Sequence, residues 1–438
     1  MNILMINKFY FEKGGAERYF FDLKKMLENK SHNVIPLAMQ HKENLKSEYT
    51  KYFVSEISTQ PTWNIWQDLR TVGRFLWSWE ARRKLQKLIS KNKIDIAHIH
   101  NIYHQISPSI LPVLKKNKIP VVMTVHDYAL ISANYNLYQL KKMNTKFVHK
   151  IICGFERFLH HKVLNVYKKN IDKFICPSQF VKNKLIQGGF DKSKLVVVPH
   201  FIDTQIHTDV NTNKRGQNDE KYILYFGRLS EEKGVQILIK AMQELPNVKL
   251  KIAGQGCFKP NLESEVLKLK LKNVEFLGFK NQTDLQKLIL DSELVIIPSL
   301  APETFGLSAL ETMALGKTVI ASRVGALPEL ISNEFLFKPG DVKELVQKIK
   351  ELVPYLLKKS EEPVLYLLKK SEEPVPYLLK KKEGHVPYLL KKGEGLTKKT
   401  EYARIKGYTN KVIVQEKYGQ NKHFQQIQTI YHKFIKHC

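Results

Sequence analysis

Short apolar runs, bounded by turn residues, alternate with stretches of helical periodicity along most of this 438-residue chain. Such alternation predicts βαβ units, in which parallel strands are joined by right-handed crossovers. In open sheets of this kind, ligands bind beyond the carboxyl ends of the strands. We predict an α/β fold with strands at 2–7, 33–39, 94–99, 120–125, 173–176, 194–198, 222–227, 248–253, 274–277, 294–298 and 318–322.

The predicted elements fall into two domains. Residues 1–203 form the first α/β domain, the polar tract 204–220 is a linker, and residues 221–352 form the second domain. A chain of this length can bury two cores of ordinary size. Residues 397–438 are predicted to form helices that close the chain.

A tandem repeat occupies residues 353–396. An eleven-residue unit containing Tyr-Leu-Leu-Lys-Lys occurs four times, and most copies have a proline beside the valine. Each proline costs about 3 kcal/mol inside a helix, so a continuous helix is disfavoured. A row of short helices and a disordered loop both fit this segment. We predict that it is dispensable for chemistry, because loop-closure entropy grows only slowly with length. The copies start at Val353, Val364, Val375 and Val386.

The segment 302–312 carries two carboxylates at different depths. It follows the apolar strand at 294–298, and helical spacing runs from Phe305 to Leu315. Glu303 then lies on the strand-to-helix loop, and Glu311 lies about two turns further on, facing the crevice. Unpaired amides in the first turn of a helix bind anions. Two acids around an anion site suit a sugar nucleotide; a capped helix with solvated acids is the alternative. The first-turn amides are predicted to be those of Phe305, Gly306 and Leu307.

Two other turns at predicted strand ends carry candidate ligand-binding residues. Arg228 and Lys233 flank the turn after the strand at 222–227, where they can neutralise a diphosphate or simply be solvated. Gly14 and Gly15 follow the first strand. Paired glycines allow the backbone to approach a ligand closely, although a tight turn also requires them.

Four ordered segments resemble one enzyme family. They are GGAER at 14–18, TVHD at 124–127, GRLSEEKG at 227–234 and ETFGLSALE at 303–311. The chain resembles the retaining glycosyltransferases of family 4, and the resemblance covers nearly all of it except the tandem repeat. It implies a GT-B fold, with two Rossmann-like domains facing each other across a cleft.

The resemblance also implies contacts with three parts of a nucleotide-sugar donor. Glu303 contacts the sugar, and Glu311 holds the ribose hydroxyls. Arg228 and Lys233 bind the diphosphate, and His126 lies beside the sugar being transferred. The residues predicted to act in catalysis are therefore Glu303, His126, Arg228 and Lys233. The residues predicted to bind the donor are Gly14, Gly15, Arg228, Lys233, Glu303, Phe305, Gly306, Leu307 and Glu311.

Two more features follow from the resemblance. Gly15 approaches the donor from the first domain, and the helical stretch at 421–435 crosses back to pack on that domain. The chain departs from the family at Pro199-His200-Phe201-Ile202-Asp203, where many members have an Asn-Gly pair before the hydrophobic residue and the aspartate. A role for this turn is therefore not carried over.

The activity implied is transfer of a sugar from a nucleotide-sugar to a saccharide or lipid-linked saccharide acceptor, with retention of configuration. Synthesis of a cell-surface polysaccharide or glycolipid is the expected setting, and the enzyme is expected to be of the hexosyltransferase type. A nucleotide-sugar epimerase and a non-catalytic GT-B assembly protein are the alternatives. No cofactor is expected. No metal is expected either, because the sequence lacks a DxD motif and its His and Cys residues lack zinc spacing.

Positive charge is concentrated in the first domain. The chain has a net charge of +29, and residues 1–200 contain 33 Lys and Arg against 14 Asp and Glu. The stretch 63–84 mixes basic residues with tryptophans, a composition suited to an anionic membrane surface. A lysine-rich solvated surface is the alternative. No nucleic-acid partner is predicted, because no binding motif accompanies the charge.

The remaining signals concern the cellular compartment. The four cysteines are scattered without paired spacing, which is typical of reduced thiols in the cytosol. No apolar run approaches the length needed to span a bilayer, and the chain begins with a predicted strand rather than a signal sequence. We therefore predict a cytoplasmic protein, peripheral on the cytoplasmic face of the membrane. The cysteines are Cys153, Cys176, Cys257 and Cys438.

Overall fold

The computed structural model of the protein contains two parallel six-stranded sheets, each covered by helices. Every strand pair within them is parallel, as βαβ connections require. Both the linker 204–220 and the tandem repeat fall outside the described residues. The structure describes residues 1–57, 73–74, 76–132, 134–138, 165–203, 221–352 and 410–435.

The first sheet has the strand order β2-β1-β3-β4-β5-β6. Its strands are β1 (Asn2–Ile6), β2 (Asn33–Leu37), β3 (Ile96–Ile99), β4 (Val121–Thr124), β5 (Lys173–Cys176) and β6 (Leu195–Val197). The helices around it are α1 (Gly15–Asn29), α2 (Trp79–Lys91), α3 (Leu111–Lys116), α4 (Val166–Asn170) and α5 (Gln179–Gln187).

The second sheet has the strand order β12-β11-β10-β7-β8-β9. Its strands are β7 (Tyr222–Phe226), β8 (Lys249–Ala253), β9 (Val274–Gly278), β10 (Leu294–Ile297), β11 (Thr318–Ser322) and β12 (Leu336–Phe337). The helices are α6 (Val235–Ala241), α7 (Lys259–Lys268), α8 (Gln282–Asp291), α9 (Leu307–Ala314), α10 (Leu327–Leu330) and α11 (Val342–Leu352).

All eleven predicted strands are present, with ends within two residues of the prediction. The twelfth strand, β12, was missed because two residues are too few to show a periodicity. In each sheet the strand order reverses beside the first strand, between β1 and β3 and between β7 and β10. These switch points open the crevices in which α/β sheets bind ligands.

The last described helix, α12 (Gln420–Ile435), packs on the first domain. Ile427 and Tyr431 are fully buried there in one cluster with Ile3 and Met5 of β1. The Tyr431 hydroxyl lies 2.6 Å from His98 Nδ1, which adds a polar contact to the apolar packing. The last helix thus forms part of the first domain's core.

In the described residues, the chain leaves the first domain near Ile202 and returns to it near Gly419, and these two points lie side by side. Ile202, at the end of the first domain, forms a parallel bridge with Gly419, just before α12. The Ile202 amide donates to the Tyr418 carbonyl at 3.1 Å. The turn that departs from the family pattern also contacts α12, since His423 Nδ1 lies 2.8 Å from the Pro199 carbonyl. This turn therefore packs against the start of the last helix.

Candidate active site

The loop between β10 and α9 carries Glu303 at the switch point of the second sheet. The helix begins at Leu307, so the predicted start at Phe305 is wrong by two residues. Gly306 has a φ of +102°, a left-handed conformation that interrupts the helix and favours glycine. The Phe305 ring is buried in the core of the second domain, 3% exposed. Phe305 and Gly306 therefore precede the helix, and its first amide is that of Leu307.

Glu303 is held by a cation and a hydroxyl. Lys233 Nζ donates to Glu303 Oε1 at 2.7 Å, and Ser299 Oγ donates to the same oxygen at 2.6 Å. Burial raises the pKa of this carboxyl, but the Lys233 charge and the two hydrogen bonds outweigh it, and the net pKa is below its ordinary value. The carboxylate is therefore ionised at neutral pH.

Lys233 reaches Glu303 because two loops touch at the switch point. Lys233 ends a short 3₁₀ turn, and the next residue, Gly234, has a φ of +72°. A Cβ at Gly234 would lie 1.9 Å from the Pro298 carbonyl oxygen at the end of β10, so only glycine fits. This close approach places the ammonium group beside the carboxylate.

Arg228 lies on the same loop but points toward solvent. Its Nη2 donates to Glu232 Oε1 at 2.8 Å, and its Nε donates to Ser230 Oγ at 3.3 Å. The Arg228 side chain is 56% exposed, against 28% for Lys233. Lys233 and Arg228, the two cations predicted to bind the diphosphate, thus differ in exposure to solvent, and Lys233 is the more enclosed.

Glu311 lies on α9 and faces the first domain. It is 8% exposed, and Arg18 Nη1 of α1 donates to its Oε1 at 2.7 Å. Burial raises the pKa of the Glu311 carboxyl, and the Arg18 charge opposes this. Sequence reasoning missed Arg18, although it lies within the GGAER segment. Only the fold shows that it meets Glu311 across the cleft.

The paired glycines lie opposite the start of α9. Gly14 precedes α1 in an extended conformation, and Gly15 is its first residue. A Cβ added to Gly15 would lie 3.1 Å from Leu307 Cδ1, so this turn approaches α9 closely. The GG turn of the first domain therefore faces Leu307 and Glu311 of the second domain across the closed cleft.

His126 follows β4 and is half-buried, packed against the buried His100 and His200. Its Nε2 lies 2.9 Å from His100 Nδ1, and its ring stacks on those of His100 and His200. Burial lowers the pKa of His126 to about 3, with a smaller contribution from the Lys8 charge. The imidazole is neutral at physiological pH and can orient a hydroxyl but supplies no positive charge. Nowhere in the described ranges do three or more His, Cys, Asp or Glu residues form a group that could hold a metal.

The two crevices face each other in a closed arrangement. The fold and this cleft define the class as α/β GT-B. The chain aligns with the solved structure of sucrose-phosphate synthase from Thermosynechococcus elongatus, with a TM-score of 0.71 and 18% identity, covering 100% of both chains. It also aligns with Anabaena HepE in complex with UDP-glucose, with a TM-score of 0.65 and 19% identity, covering 99% of this chain and 100% of that one. At these identities the likeness is one of fold.

Sequence comparison identifies the family. Residues 13–206 match the model described as Glycosyltransferase Family 4, and residues 208–356 match Glycosyl transferases group 1. An uncharacterized 42.6 kDa protein in the cps region of Klebsiella pneumoniae is 29% identical over 343 residues, covering 75% of this chain and 87% of that protein. The chain belongs to the GT-B glycosyltransferases of the family 4 type.

Proposed function

We propose that this enzyme transfers a hexosyl unit from a nucleotide-sugar to a saccharide or lipid-linked saccharide, with retention of anomeric configuration. The observation that carries the proposal is the Lys233–Glu303 pair, whose atoms lie 2.7 Å apart at the switch point of the second sheet. Retaining transfer on one face of the sugar generates a negative diphosphate next to a positive sugar ring. A lysine and a carboxylate held side by side match those two charges.

The contacts of Glu303 favour displacement on a single face over a covalent intermediate. Its Oε1 accepts hydrogen bonds from both Lys233 and Ser299, which fix the carboxylate and lower its basicity. Such a group stabilises a cationic ring electrostatically better than it attacks it. The neutral His126 is suited to orient a sugar hydroxyl. Lys233 supplies the positive charge for the leaving group, and we infer that the reaction needs no metal and no cofactor.

Two of the related proteins support the choice of substrates. HepE was crystallised with UDP-glucose, which is a nucleotide-sugar donor. The Klebsiella pneumoniae relative is encoded in the cps region. We infer a nucleotide-sugar donor and a role in the synthesis of a cell-surface polysaccharide or glycolipid.

A panel of nucleotide-sugars tests the function. We expect one nucleotide-sugar of the panel to raise the melting temperature of the protein and to be hydrolysed slowly. The melting temperature and the rate of hydrolysis should be the same with and without EDTA. With an acceptor, NMR of the product anomeric proton should show the donor's configuration. An inverted product contradicts retention, and loss of activity with EDTA that manganese restores contradicts the metal-free mechanism. Epimerised donor without nucleotide release favours the epimerase, and no binding at all favours an assembly protein.

Glu311→Ala is expected to weaken donor binding more than turnover. The carboxylate is proposed to accept hydrogen bonds from the ribose hydroxyls, and such a bond to a charged group is worth about 1.5–3 kcal/mol. The Kd of the nucleoside diphosphate, measured by calorimetry, should therefore rise by about ten- to a hundredfold while kcat changes little. Glu263→Ala is the control, since Glu263 is a carboxylate of the second domain paired with Lys259 at 3.3 Å. An unchanged Kd would remove Glu311 from the ribose site.

We further propose that the first domain docks on the cytoplasmic face of an anionic membrane. The Arg82 guanidinium lies 5.4 Å from the Trp77 ring and 5.3 Å from the Trp79 ring. Trp79 is 65% exposed. The structure describes Arg74 and residues 76–84 of the predicted surface, whereas Trp63, Trp66, Arg70 and Phe75 lie outside the described residues. In the described ranges no helix has the length and apolarity to cross a bilayer.

Sedimentation with lipid vesicles tests this docking surface. The protein should pellet with anionic vesicles at low salt and be released as salt screens the charges. Trp79→Ala should weaken this binding, because an exposed indole inserts at the interface. Leu267→Ala is the control, since Leu267 is 78% exposed on the second domain. Equal recovery with neutral and anionic vesicles would leave only a solvated basic surface.

A further inference from the structure

The loop between β10 and α9, which carries Glu303 and is called the donor loop below, is hydrogen-bonded to the first domain as well as to the second domain. Ser178 Oγ donates to the Thr304 carbonyl at 2.7 Å, and Thr304 Oγ1 donates to the His126 carbonyl at 3.2 Å. The Tyr128 hydroxyl donates to the Glu303 carbonyl at 3.4 Å. Three hydrogen bonds thus connect two consecutive residues of the donor loop to the opposite side of the cleft.

A carboxylate of the second domain completes the contact by capping a helix of the first. The Glu329 carboxylate accepts from the amides of Gln179 and Phe180, at 2.8 and 2.6 Å. Ser178 Oγ accepts from the Val181 amide at 3.2 Å, so it caps the same helix, α5, from within its own domain. The first amides of α5 therefore find partners only partly in their own domain, and the rest are satisfied when the domains meet.

The capping carboxylate and the donor loop are mechanically connected. Glu329 lies on α10, and the Ala326 amide just before this helix donates to the Glu303 carbonyl at 2.9 Å. Gly325 has a φ of +63°, and a Cβ there would lie 2.3 Å from the Glu303 amide nitrogen. Such close packing means that α10 and the Glu303 backbone shift together.

We propose that Glu329, Ser178 and Tyr128 form a closure clamp that positions Glu303 when the two domains meet. The clamp rests on the proposed function, because it acts on the carboxylate assigned to the donor sugar. All three are positioning residues: their contacts are with the backbone of the donor loop or of α5. The proposed ligands of the diphosphate and ribose, Lys233, Arg228 and Glu311, are all on the second domain, so a nucleoside diphosphate can bind without the clamp. The approach of Gly15 to the donor and the placement of Glu303 beside the sugar require the clamp.

The test separates turnover from binding. Glu329→Ala and Ser178→Ala are expected to lower kcat by about ten- to a hundredfold, since a displacement of about 1 Å at a catalytic group has effects of this size. The Kd of the nucleoside diphosphate is expected to stay within about twofold of wild type, because Lys233 and Arg228 are untouched. The Gln179 and Phe180 amides bond to different oxygens of the Glu329 carboxylate, so Glu329→Gln keeps one acceptor of the two and should recover only part of the lost turnover.

The matched control removes a cap elsewhere in the first domain, and small-angle scattering measures domain closure directly. Asp191 is an exposed carboxylate that accepts from the Ser193 amide at 2.8 Å within the first domain, so Asp191→Ala removes a similar cap away from the cleft. Small-angle scattering should show a larger radius of gyration for Glu329→Ala than for wild type and for Asp191→Ala.

Three results would overturn the clamp: an unchanged kcat in Glu329→Ala, an equal loss in Asp191→Ala, or an unchanged radius of gyration. If the wild-type protein turns over no nucleotide-sugar, the proposed function fails. The scattering comparison still decides whether Glu329 holds the domains closed. Because Ser178→Ala also removes a cap from α5, the melting temperatures of the variants are compared first. If Ser178→Ala is unstable, the Glu329 variants alone decide the test.

Discussion

Lys233→Ala is expected to lower kcat/KM by at least about a hundredfold, the effect typical of removing a preorganised electrostatic group from an active site. The change removes the charge proposed to stabilise the departing diphosphate. It also leaves the enclosed Glu303 carboxylate without the cation that lies 2.7 Å away. Arg228→Ala is expected to cost less, because that side chain is 56% exposed and already bonded to Glu232.

The pH profile gives this variant a second signature. In the wild type the pKa of Glu303 is lowered, so its contribution to stability is present at neutral pH and is lost as the pH falls through that lowered value. Without Lys233, burial raises the pKa of Glu303 with less opposition. The acidic limb of kcat/KM against pH should therefore move to higher pH.

The control for Lys233→Ala is Lys259→Ala. Lys259 is another lysine of the second domain paired with a carboxylate, Glu263 at 3.3 Å, but it lies outside the cleft. We expect wild-type kinetics from it. If both variants lose the same activity, or if the acidic limb of Lys233→Ala does not move, the role assigned to the Lys233–Glu303 pair is wrong.

Glu303→Gln is expected to lower kcat by about a hundred- to a thousandfold, because a neutral amide does not stabilise positive charge on the sugar. The nucleoside diphosphate should bind as tightly as to wild type or more tightly, since Lys233 no longer shares its charge with a carboxylate. Steady-state kinetics and calorimetry measure the two quantities separately.

The matched control for this change is Glu263→Gln, which neutralises a carboxylate on the same domain. A Glu303→Gln enzyme with normal kcat and a raised KM would show that Glu303 binds the ground state only. A covalent mechanism is also testable, because a trapped glycosyl-enzyme detected by mass spectrometry on Glu303 would contradict displacement on one face.

Local patterns were enough to predict the sheets and the loops that carry the candidate site residues. Each predicted strand is a short apolar run, and Arg228, Lys233 and Glu303 follow strands at their carboxyl ends. The helix start was wrong because periodicity does not show that Gly306 is left-handed. A prediction based on spacing therefore locates the loop but not the first amide of the helix.

Contacts across the cleft could not be predicted from one sequence. Arg18 and Glu311 are 293 positions apart, and Glu329 is 150 positions from Gln179. In the sequence, Arg18, Glu311 and Glu329 each look like an ordinary charged residue on a helix, since no local pattern records which domain surface the side chain will face. The structure supplies these pairs because it fixes how the two sheets are placed.

The packing of α12 on the first domain has a consequence for biosynthesis. Tyr431 and Ile427 belong to the same buried cluster as Ile3 and Met5, although the whole second domain separates them in the chain. Domains generally fold in the order in which the ribosome releases them. Here the first domain emerges with part of its core packing still missing, and that part is supplied by α12, which is translated after the whole second domain. A ribosome that stalls before residue 420 therefore holds a chain whose first α/β domain is still incomplete.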